Sequence, residues 1–330
     1  MKAGVIGGGS WGSAFALYLG RLGFPTRLWI RESEILQEAR RDRENRVFLP
    51  GYRFPEAVSF HHDLAETVDE ADVVFLAVPA QFFRRVYSRL APLLHAGQGV
   101  ISLAKGIEKT TLARMTEIMT EIRPPVKGPI GVLSGPSFSK EVAEGHPTAL
   151  VLASSDGDLA RRVQSRLSSL VLRVYTTRDV VGVELAGALK NIIAIAAGIS
   201  DALRFGHNTR ASLMTRGLAE IARLGLKMGA QRETFQGLAG MGDLVLTCTG
   251  ALSRNRYVGM EIGRGRRLGD VVAEMRMVAE GIATTVSARA LACREGVDMP
   301  ILEQVFQILY RKKEPARAIN DLMSRGLKDE

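Results

Sequence analysis

The chain has 330 residues, of which 46% are hydrophobic and 24% are charged. This length and composition predict a folded chain large enough for two packed domains, and they exclude an intrinsically disordered protein. The 44 basic and 35 acidic residues give a formal net charge of +9, so nucleic acid, an anionic surface and an anionic small molecule are the partner classes to separate.

The basic residues are spread along the chain instead of forming one tract, and the sequence has neither a zinc-finger spacing nor an aromatic RNA-binding motif. We therefore expect no nucleic-acid partner and favour phosphorylated small molecules. The apolar stretches 73–78 and 192–197 are far shorter than the ~20 residues that cross a bilayer. The N-terminal residues lack the pattern of a secretory signal, so we expect no membrane span and a cytoplasmic location.

The sequence contains two cysteines and five histidines. Cys248 and Cys293 are too few for a disulfide framework and lack the spacing of a metal cluster, so both are expected to be reduced thiols. The histidines show no metal-ligand spacing on one element. We expect no catalytic metal.

The first half of the chain alternates short β-branched runs with longer amphipathic stretches, which indicates a parallel sheet covered by crossover helices. From about residue 179 the strand signal fades and helical spacing continues to the end. The sequence therefore predicts an α/β fold, with a Rossmann-type doubly wound parallel sheet over residues 1–178 and an all-α C-terminal domain over residues 179–330. The predicted strands are 2–6, 26–30, 73–77, 99–103, 130–133 and 149–153, with a strand-like run at 170–175.

Gly7, Gly9 and Gly12 form a G-x-G-x-x-G pattern directly after the first predicted strand and at the start of a helix. In a dinucleotide-binding turn these glycines permit the tight turn, the approach of the pyrophosphate and the packing of helix on strand. The phosphates then meet the helix N-terminus. A chain with 34 glycines can contain such a pattern by chance. The prediction therefore depends on the position of the pattern directly after the first strand. The alternative is a turn with a purely structural role.

The second predicted strand leads into Arg31, at the point where NAD-binding sites place an acidic residue on the ribose 2′-hydroxyl. An arginine can instead hold a 2′-phosphate through forked, charge-assisted hydrogen bonds. NADP is therefore the favoured cofactor, and Glu32 leaves NAD possible. The alternative interpretation of Arg31 is a solvated strand end.

Four further segments combine glycine with polar or basic residues. Lys105 and Ser134 follow predicted strands, whose carboxyl ends form the ligand crevice of such sheets. Lys190 lies beside Asn191 on a helix of otherwise small and apolar residues, where a buried lysine needs a purpose or else extends to solvent. The position of Lys190 in the sequence does not distinguish a buried lysine with a function from one that extends to solvent. The segments are 104–108, 134–138, 184–191 and 240–243.

The segments 7–12, 105–106, 135–138, 146–149, 183–199, 240–248, 252–256 and 278–281 form an ordered set of motifs. As a set, these motifs resemble the bacterial NAD(P)-dependent glycerol-3-phosphate dehydrogenases over nearly the whole chain. The resemblance implies a Rossmann domain followed by an all-helical domain, and a homodimer. It also implies the reversible reduction of dihydroxyacetone phosphate to sn-glycerol 3-phosphate, which supplies glycerophospholipid synthesis.

By this resemblance Lys190 is the acid/base residue. Its ammonium can protonate a ketone oxygen as hydride arrives, Asp243 can accept from a substrate hydroxyl, and Arg254 can hold a phosphate. Helix capping is the alternative for Asp243. The implied cofactor-binding residues are Gly7, Gly9, Ser10, Trp11, Gly12, Arg31, Lys105, Ser139, Arg254, Val278 and Glu280. The implied substrate-binding residues are Lys105, Gly135, Ser137, Lys190, Asp243, Ser253, Arg254 and Asn255.

Two positions depart from the family pattern. Ser139 stands where alanine is common, and His207 precedes Asn208 where aspartate is frequent. Neither departure touches the implied proton donor. We expect His207 to be structural and Arg256 to be a surface charge.

Three other functions remain open. Another Rossmann-plus-helical dehydrogenase, acting on a hydroxy acid, a sugar acid or a hydroxyacyl-CoA, has the same expected fold, although segment 253–255 and the segment at Lys105 argue against it. A noncatalytic NADP-binding regulator would have no need to retain Lys190 and Asp243. A basic nucleic-acid-binding protein would show binding that falls steeply with salt.

Overall fold

The computed structural model describes residues 1–122 and 128–327, and the chain divides into two compact units. The first unit holds Met1–Lys105 and Ala113–Glu184, and the second holds Gly106–Leu112 and Leu185–Glu330. The chain thus enters the second unit for a short segment directly after Lys105 and then returns. The domain boundary between residues 178 and 179 stays a prediction.

The first unit is built on a large sheet and a small hairpin. Its strands are β1 Ala3–Ile6, β2 Thr26–Trp29, β3 Glu44–Asn45, β4 Leu49–Arg53, β5 Val58–His61, β6 Val73–Leu76, β7 Gly99–Ser102, β8 Ile130–Ser134, β9 Thr148–Ala153 and β10 Leu172–Thr177. Strands β3 and β4 pair as the hairpin, and the others form an eight-stranded sheet in the order β10-β9-β8-β7-β6-β1-β2-β5. From β5 to β8 this is the strand order of a Rossmann sheet, whose ligand crevice lies where the order reverses, beside β1.

Helices cover both faces of this sheet. Successive residues of a strand point to opposite faces, and accordingly Val73 and Phe75 lie in one hydrophobic core while Val74 and Leu76 lie in the other. Burial on both faces explains why the central strands are continuous apolar runs. The helices of this unit are α1 Ser10–Arg21, α2 Ser33–Asp42, α3 Leu64–Val68, α4 Ala80–Leu90, α5 Met115–Ile122, α6 Ser139–Glu144 and α7 Gly157–Leu167, with a 3-10 turn at Ala91–Leu93.

The predicted doubly wound sheet is confirmed. The six predicted strands each lie within one residue of an observed strand at either end, and the strand-like run 170–175 lies two residues before β10 at both ends. Sequence reasoning missed β5 and the β3–β4 hairpin, which are short. It also missed one antiparallel pair, β8 with β9. These two strands are joined through α6, whose six residues span only about 9 Å. The helix is thus shorter than a strand of about 16 Å, and β9 runs antiparallel to β8.

The second unit is helical, which confirms the predicted all-α part of the fold. Its helices are α8 Val180–Ala202, which begins in the first unit, α9 Gly206–Lys227, α10 Arg232–Gln236, α11 Asp243–Thr249, α12 Arg254–Gly263, α13 Leu268–Glu274, α14 Glu280–Glu295, α15 Pro300–Arg311 and α16 Pro315–Met323, with a π-helical turn at Leu238–Gly242.

Helix α8 is mostly apolar, and residues 182–200 are all buried. By length and composition alone it could cross a membrane, but 89% of its most apolar window is buried inside the folded chain. The core helix of a globular domain has the same pattern. Helix α8 is therefore weak evidence for a membrane span.

Two glycine contacts bring α12 against α8. A Cβ atom on Gly198 would lie 2.1 Å from the carbonyl oxygen of Arg256, and one on Gly259 would lie 2.0 Å from the carbonyl oxygen of Ile195. Only glycine permits so close an approach of two helix backbones. The helix that carries Lys190 and the helix that begins at Arg254 are thus in direct backbone contact.

Glu220 joins α9 to the start of α15, because its carboxylate accepts hydrogen bonds from the backbone N–H groups of Ile301 at 2.8 Å and Leu302 at 3.3 Å. The side chain is buried, and burial raises the pKa of Glu220 to about 7. Since this pKa lies above the unfolded value, the contribution of Glu220 to stability is complete below about pH 4.5 and is lost as pH rises through about 7.

We therefore expect the unfolding free energy of the wild type, relative to Glu220→Gln, to fall by up to about 3 kcal/mol between pH 4.5 and 8. Denaturation of both proteins at a series of pH values measures this difference. Glu233→Gln, at an exposed glutamate of α10, is the control and should show a flat difference. A difference for Glu220 that is equally flat, or that grows with pH, would contradict the assignment.

Candidate active site

The glycine turn after β1 is closed on two sides and open on one. Gly7 has a positive φ of 122°, and a Cβ atom there would lie 2.6 Å from the carbonyl oxygen of Ala77. A Cβ atom on Gly12 would lie 1.9 Å from the carbonyl oxygen of Gly7, whereas one on Gly9 would meet nothing within 4 Å. The open space of the turn is therefore at Gly9.

Helix α1 begins at this open space. Its N-cap residue is Gly9, which has no side chain to cap the first turn, and a helix N-terminus of this kind attracts anions. Trp11 packs against Phe15, and its Nε1 atom is buried without a hydrogen-bond partner in the described part of the chain. Ser10 is the first residue of the helix. An uncapped N-terminus, an open glycine and an unused indole donor fit a dinucleotide diphosphate.

Arg31 follows β2 by two residues and is exposed. Its guanidinium forms an ion pair with the carboxylate of the neighbouring Glu32, with Nε at 2.8 Å from Oε1. A positive group and a negative group thus stand together at the carboxyl end of β2, where a Rossmann site holds the adenosine ribose.

Lys105, Gly135 and Ser137 come together beyond the carboxyl ends of β7 and β8. The carbonyl oxygen of Gly135 accepts hydrogen bonds from Lys105 Nζ at 2.9 Å and from Ser137 Oγ at 3.0 Å. Gly135 has a φ of 136°, a conformation that favours glycine. Ser139 is half-buried and begins α6. A cation and a hydroxyl therefore stand side by side at the end of the sheet where ligands bind.

In the second unit, Lys190 is buried in contact with two oxygens. Its Nζ atom lies 2.6 Å from Asp243 Oδ1 and 2.5 Å from Thr247 Oγ1, and the Thr247 hydroxyl in turn donates to the carbonyl oxygen of Asp243 at 2.6 Å. The side chains of Lys190 and Asp243 are 8% and 1% exposed. A charge this deeply buried is stable only when it is paired. Of the two interpretations of Lys190, the structure supports the buried side chain and not the one that extends to solvent.

Sequence reasoning missed Thr247. Asp243 and Thr247 are four residues apart and hence lie on one face of α11, which is the signal that could have indicated the residue. Asp243 does not act as the N-cap, which is Gly242. Cys248 is buried next to this group, and burial raises the pKa of its thiol to about 12. The thiol is therefore protonated and inert at neutral pH.

Asn255 and Ser253 make contacts within the protein. Asn255 Nδ2 donates to Asn191 Oδ1 at 2.8 Å, and its Oδ1 accepts from the backbone N–H of Gly281 at 2.9 Å. Ser253 Oγ caps α12 by accepting from the N–H of Arg256 at 3.2 Å. These bonds fix α8, α12 and α14 to one another, and the substrate contacts of both residues stay predictions.

Arg254 is the first residue of α12 and is exposed to water. Even so, desolvation by the surrounding protein lowers the pKa of Arg254, and the carboxylate of Glu280 opposes that shift. A guanidinium that is exposed at the start of a helix is available to pair with an anion. Glu280 is the first residue of α14, and Val278 before it is 45% exposed.

The expectation that Arg256 is a surface charge is wrong. Its guanidinium lies 2.7 Å from Asp201 Oδ2, and the side chains are 18% and 8% exposed. Arg210 forms an ion pair with the same carboxylate. His207 is exposed in the first turn of α9. Within residues 1–122 and 128–327, no three histidine, cysteine, aspartate or glutamate side chains form a group that could hold a metal ion.

The comparisons with known proteins agree with this geometry. Residues 2–160 match the model of the NAD-dependent glycerol-3-phosphate dehydrogenase N-terminus, and residues 179–320 match that of its C-terminus. The chain is 53% identical over its whole length to glycerol-3-phosphate dehydrogenase [NAD(P)+] of Geobacter sulfurreducens, covering 98% of that protein. It is 48% identical to the protein of the same description from Solidesulfovibrio magneticus, with complete coverage of both chains.

Among solved structures, glycerol-3-phosphate dehydrogenase from Coxiella burnetii superposes with a TM-score of 0.94 at 39% identity, over 98% of this chain and 99% of that one. The likeness thus extends through both units of the fold. The chain belongs to the NAD-dependent glycerol-3-phosphate dehydrogenase family.

Proposed function

We propose that this chain reduces dihydroxyacetone phosphate to sn-glycerol 3-phosphate with NAD(P)H and catalyses the reverse oxidation. The names of its relatives and both matched family models support this function. The structural observation that carries it is the buried ammonium of Lys190, held by Asp243 and Thr247. A fixed acid in a dry site is what the reduction of a ketone requires.

Lys190 supplies the proton in the direction of reduction. Burial alone would favour the neutral amine, but the carboxylate of Asp243 at 2.6 Å favours the ammonium. The two oxygens that hold Nζ also fix the direction from which it donates. When negative charge develops on the ketone oxygen, the ammonium stabilises that charge and then transfers a proton from Nζ. In the oxidation, the neutral amine takes the proton of the alcohol.

The nicotinamide cofactor, when bound, supplies or accepts the hydride. The uncapped N-terminus of α1 and the open space at Gly9 would receive its diphosphate, with Trp11 Nε1 as a further donor. Arg31 would hold the 2′-phosphate of NADP, which makes NADP the preferred cofactor, while Glu32 would accept from the 2′-hydroxyl of NAD.

The substrate's phosphate would be held by Arg254 and neighbouring donors. A guanidinium forms two parallel hydrogen bonds to a phosphate, and Arg254 is exposed at the first residue of α12. Lys105 and Ser137, both on the Gly135 carbonyl, would bind polar groups of the substrate. Binding energy from the phosphate, remote from the ketone, then serves to orient the reacting carbon.

Arg31→Asp is expected to weaken NADPH binding far more than NADH binding, because a charge-assisted contact with the 2′-phosphate is replaced by repulsion. NADH would then become the better cofactor. Dissociation constants of both cofactors, measured by titration, test this expectation. Arg41→Asp is the matched control, since Arg41 is also exposed and also pairs with the next residue, Asp42. Equal losses for NADPH and NADH would mean that Arg31 only supports the fold.

The proposed function is tested by following NADPH oxidation with dihydroxyacetone phosphate, with unphosphorylated dihydroxyacetone and with a set of 2-keto acids. We expect rapid oxidation with the phosphorylated ketone alone. Preference for a keto acid would support the other Rossmann-plus-helical dehydrogenases instead. NADPH binding without turnover of any ketone would support the noncatalytic regulator.

The biological setting is a further part of the proposal. We infer that the product supplies glycerophospholipid synthesis and that the protein acts as a homodimer in the cytoplasm, and the family resemblance supports these three points. Light scattering of the purified protein tests the oligomeric state, because a mass near 35.9 kDa would correspond to a monomer.

A further inference from the structure

Asn45 is a fully buried polar residue in the β3–β4 hairpin, and it contacts the glycine turn. Its Nδ2 atom donates to the carbonyl oxygen of Gly8 at 2.7 Å and to Ser13 Oγ at 2.9 Å. Its Oδ1 atom accepts from the backbone N–H of Phe48 at 3.1 Å. Hydrogen bonds at both the nitrogen and the oxygen of the side-chain amide thus fix its orientation.

Ser13 adds a second donor to the same carbonyl. Its hydroxyl lies 3.1 Å from the Gly8 oxygen, its side chain is fully buried, and its backbone N–H donates to the carbonyl oxygen of Gly9. Two buried side chains therefore hold one peptide group of the turn. Buried polar atoms that are fully satisfied specify a single local conformation.

The held peptide group joins Gly8 to Gly9. The described chain has no cis peptide bond, and in a trans peptide the carbonyl oxygen and the N–H point in opposite directions. Because the Gly8 oxygen is turned inward to Asn45 and Ser13, the N–H of Gly9 is turned the other way. Gly9 is also the residue of the turn with open space.

We propose that Asn45 is a positioning residue for the cofactor, which aims the Gly9 N–H at the cofactor diphosphate by holding the Gly8 carbonyl. This inference rests on the proposed use of the turn as a dinucleotide site. Without Asn45, the glycine peptide has few steric limits and can rotate, because glycine populates a wide range of backbone angles. The diphosphate would then lose one aligned donor.

Two substitutions distinguish the loss of the Nδ2 hydrogen-bond donors from changes in the size or charge of the side chain. Asn45→Asp keeps the shape and the acceptor for Phe48 but presents a carboxylate to the Gly8 oxygen, and Asn45→Leu removes the donors without adding charge. For both we expect the dissociation constant of NADPH to rise about 10- to 100-fold, the loss for one hydrogen bond to a charged group. For adenosine 2′-monophosphate, which has no diphosphate, we expect a change of less than about 2-fold.

Ser13→Ala should show the same pattern with a smaller rise, about 2- to 5-fold, because Asn45 remains. It also keeps the inference testable if the Asn45 variants do not fold. Tyr52→Phe is the control, since it removes a hydrogen bond to Glu144 from the same hairpin without touching the turn, and neither ligand should change.

Equal weakening of NADPH and adenosine 2′-monophosphate would show that Asn45 only supports the fold, and unchanged NADPH binding would show that it has no role at the turn. Either result overturns the inference. Failure of the wild type to bind NADPH would instead contradict the proposed function, so the two failures are distinguishable.

Discussion

Lys190→Ala is expected to lower kcat for the reduction of dihydroxyacetone phosphate by about 10²- to 10⁴-fold, the range for a lost general acid. The dissociation constant of NADPH should change little, because the lysine contacts Asp243 and Thr247 on the helical unit. Steady-state kinetics together with NADPH titration measures both quantities. Lys190→Met should behave alike, since it fills the volume without a proton to give.

Removal of the lysine also takes the ion-pair partner from the buried Asp243 carboxylate, which costs about 3 to 5 kcal/mol of stability. The double variant Lys190→Met with Asp243→Asn removes that charge, and we expect it to recover thermal stability but not kcat. Lys227→Ala, at an exposed lysine near the end of α9, should leave kcat unchanged. A folded Lys190 variant with wild-type kcat would remove Lys190 from the mechanism.

Arg254→Ala is expected to lower kcat/KM for dihydroxyacetone phosphate by about 10- to 10³-fold or more, the loss of roughly 2 to 5 kcal/mol for a desolvated charge-assisted contact. Dihydroxyacetone, which has no phosphate, should lose much less. The measurement is kcat/KM for both ketones with both proteins at saturating NADPH. NADPH binding should weaken as well, because the family resemblance places Arg254 at the cofactor site.

Arg264→Ala is the control for Arg254, because Arg264 lies at the other end of α12 and its side chain is 56% exposed. It should leave both ketones unaffected. If Arg254→Ala lowers kcat/KM for the two ketones by the same factor, the arginine does not recognise the phosphate.

The fold was predictable because its signals are local. Apolar strands of four to six residues, interrupted by amphipathic helices, gave the order of elements, and the Gly7 to Gly12 pattern placed the first turn. The direction of β9 was not predictable in this way. The alternation of strands and helices predicts a parallel strand, and the antiparallel pairing of β9 with β8 is a tertiary contact that no local pattern marks.

The residues of the candidate site also differ in whether the local sequence indicates them. Gly9, Arg31 and Lys190 stand out in the sequence, since a glycine pattern, a cation at a strand end and a lysine among apolar residues are each visible locally. The partners of Lys190 are not, because Thr247 is 57 positions away. Asn45 likewise contacts Gly8 across 37 positions. Tertiary packing alone brings such residues together, so only the structure reveals their roles.

The pairing of basic residues with carboxylates is another feature that the sequence alone does not predict. Lys190, Arg254 and Arg256 are all basic residues of the helical part, and only one was predicted to be a surface charge. The structure places Arg256 on the carboxylate of Asp201 and leaves Arg254 exposed. Sequence alone does not show which of two neighbouring arginines is already paired, because the pairing carboxylate lies on another helix.

The most direct test of the proposed reaction is the amount of sn-glycerol 3-phosphate formed for each NADPH oxidised by the purified protein with dihydroxyacetone phosphate. The product is measured by a stereospecific assay and the cofactor by its absorbance. Hydride and proton transfer to the ketone predict one molecule of sn-glycerol 3-phosphate for each NADPH. Oxidation of NADPH without formation of sn-glycerol 3-phosphate would contradict the proposed function.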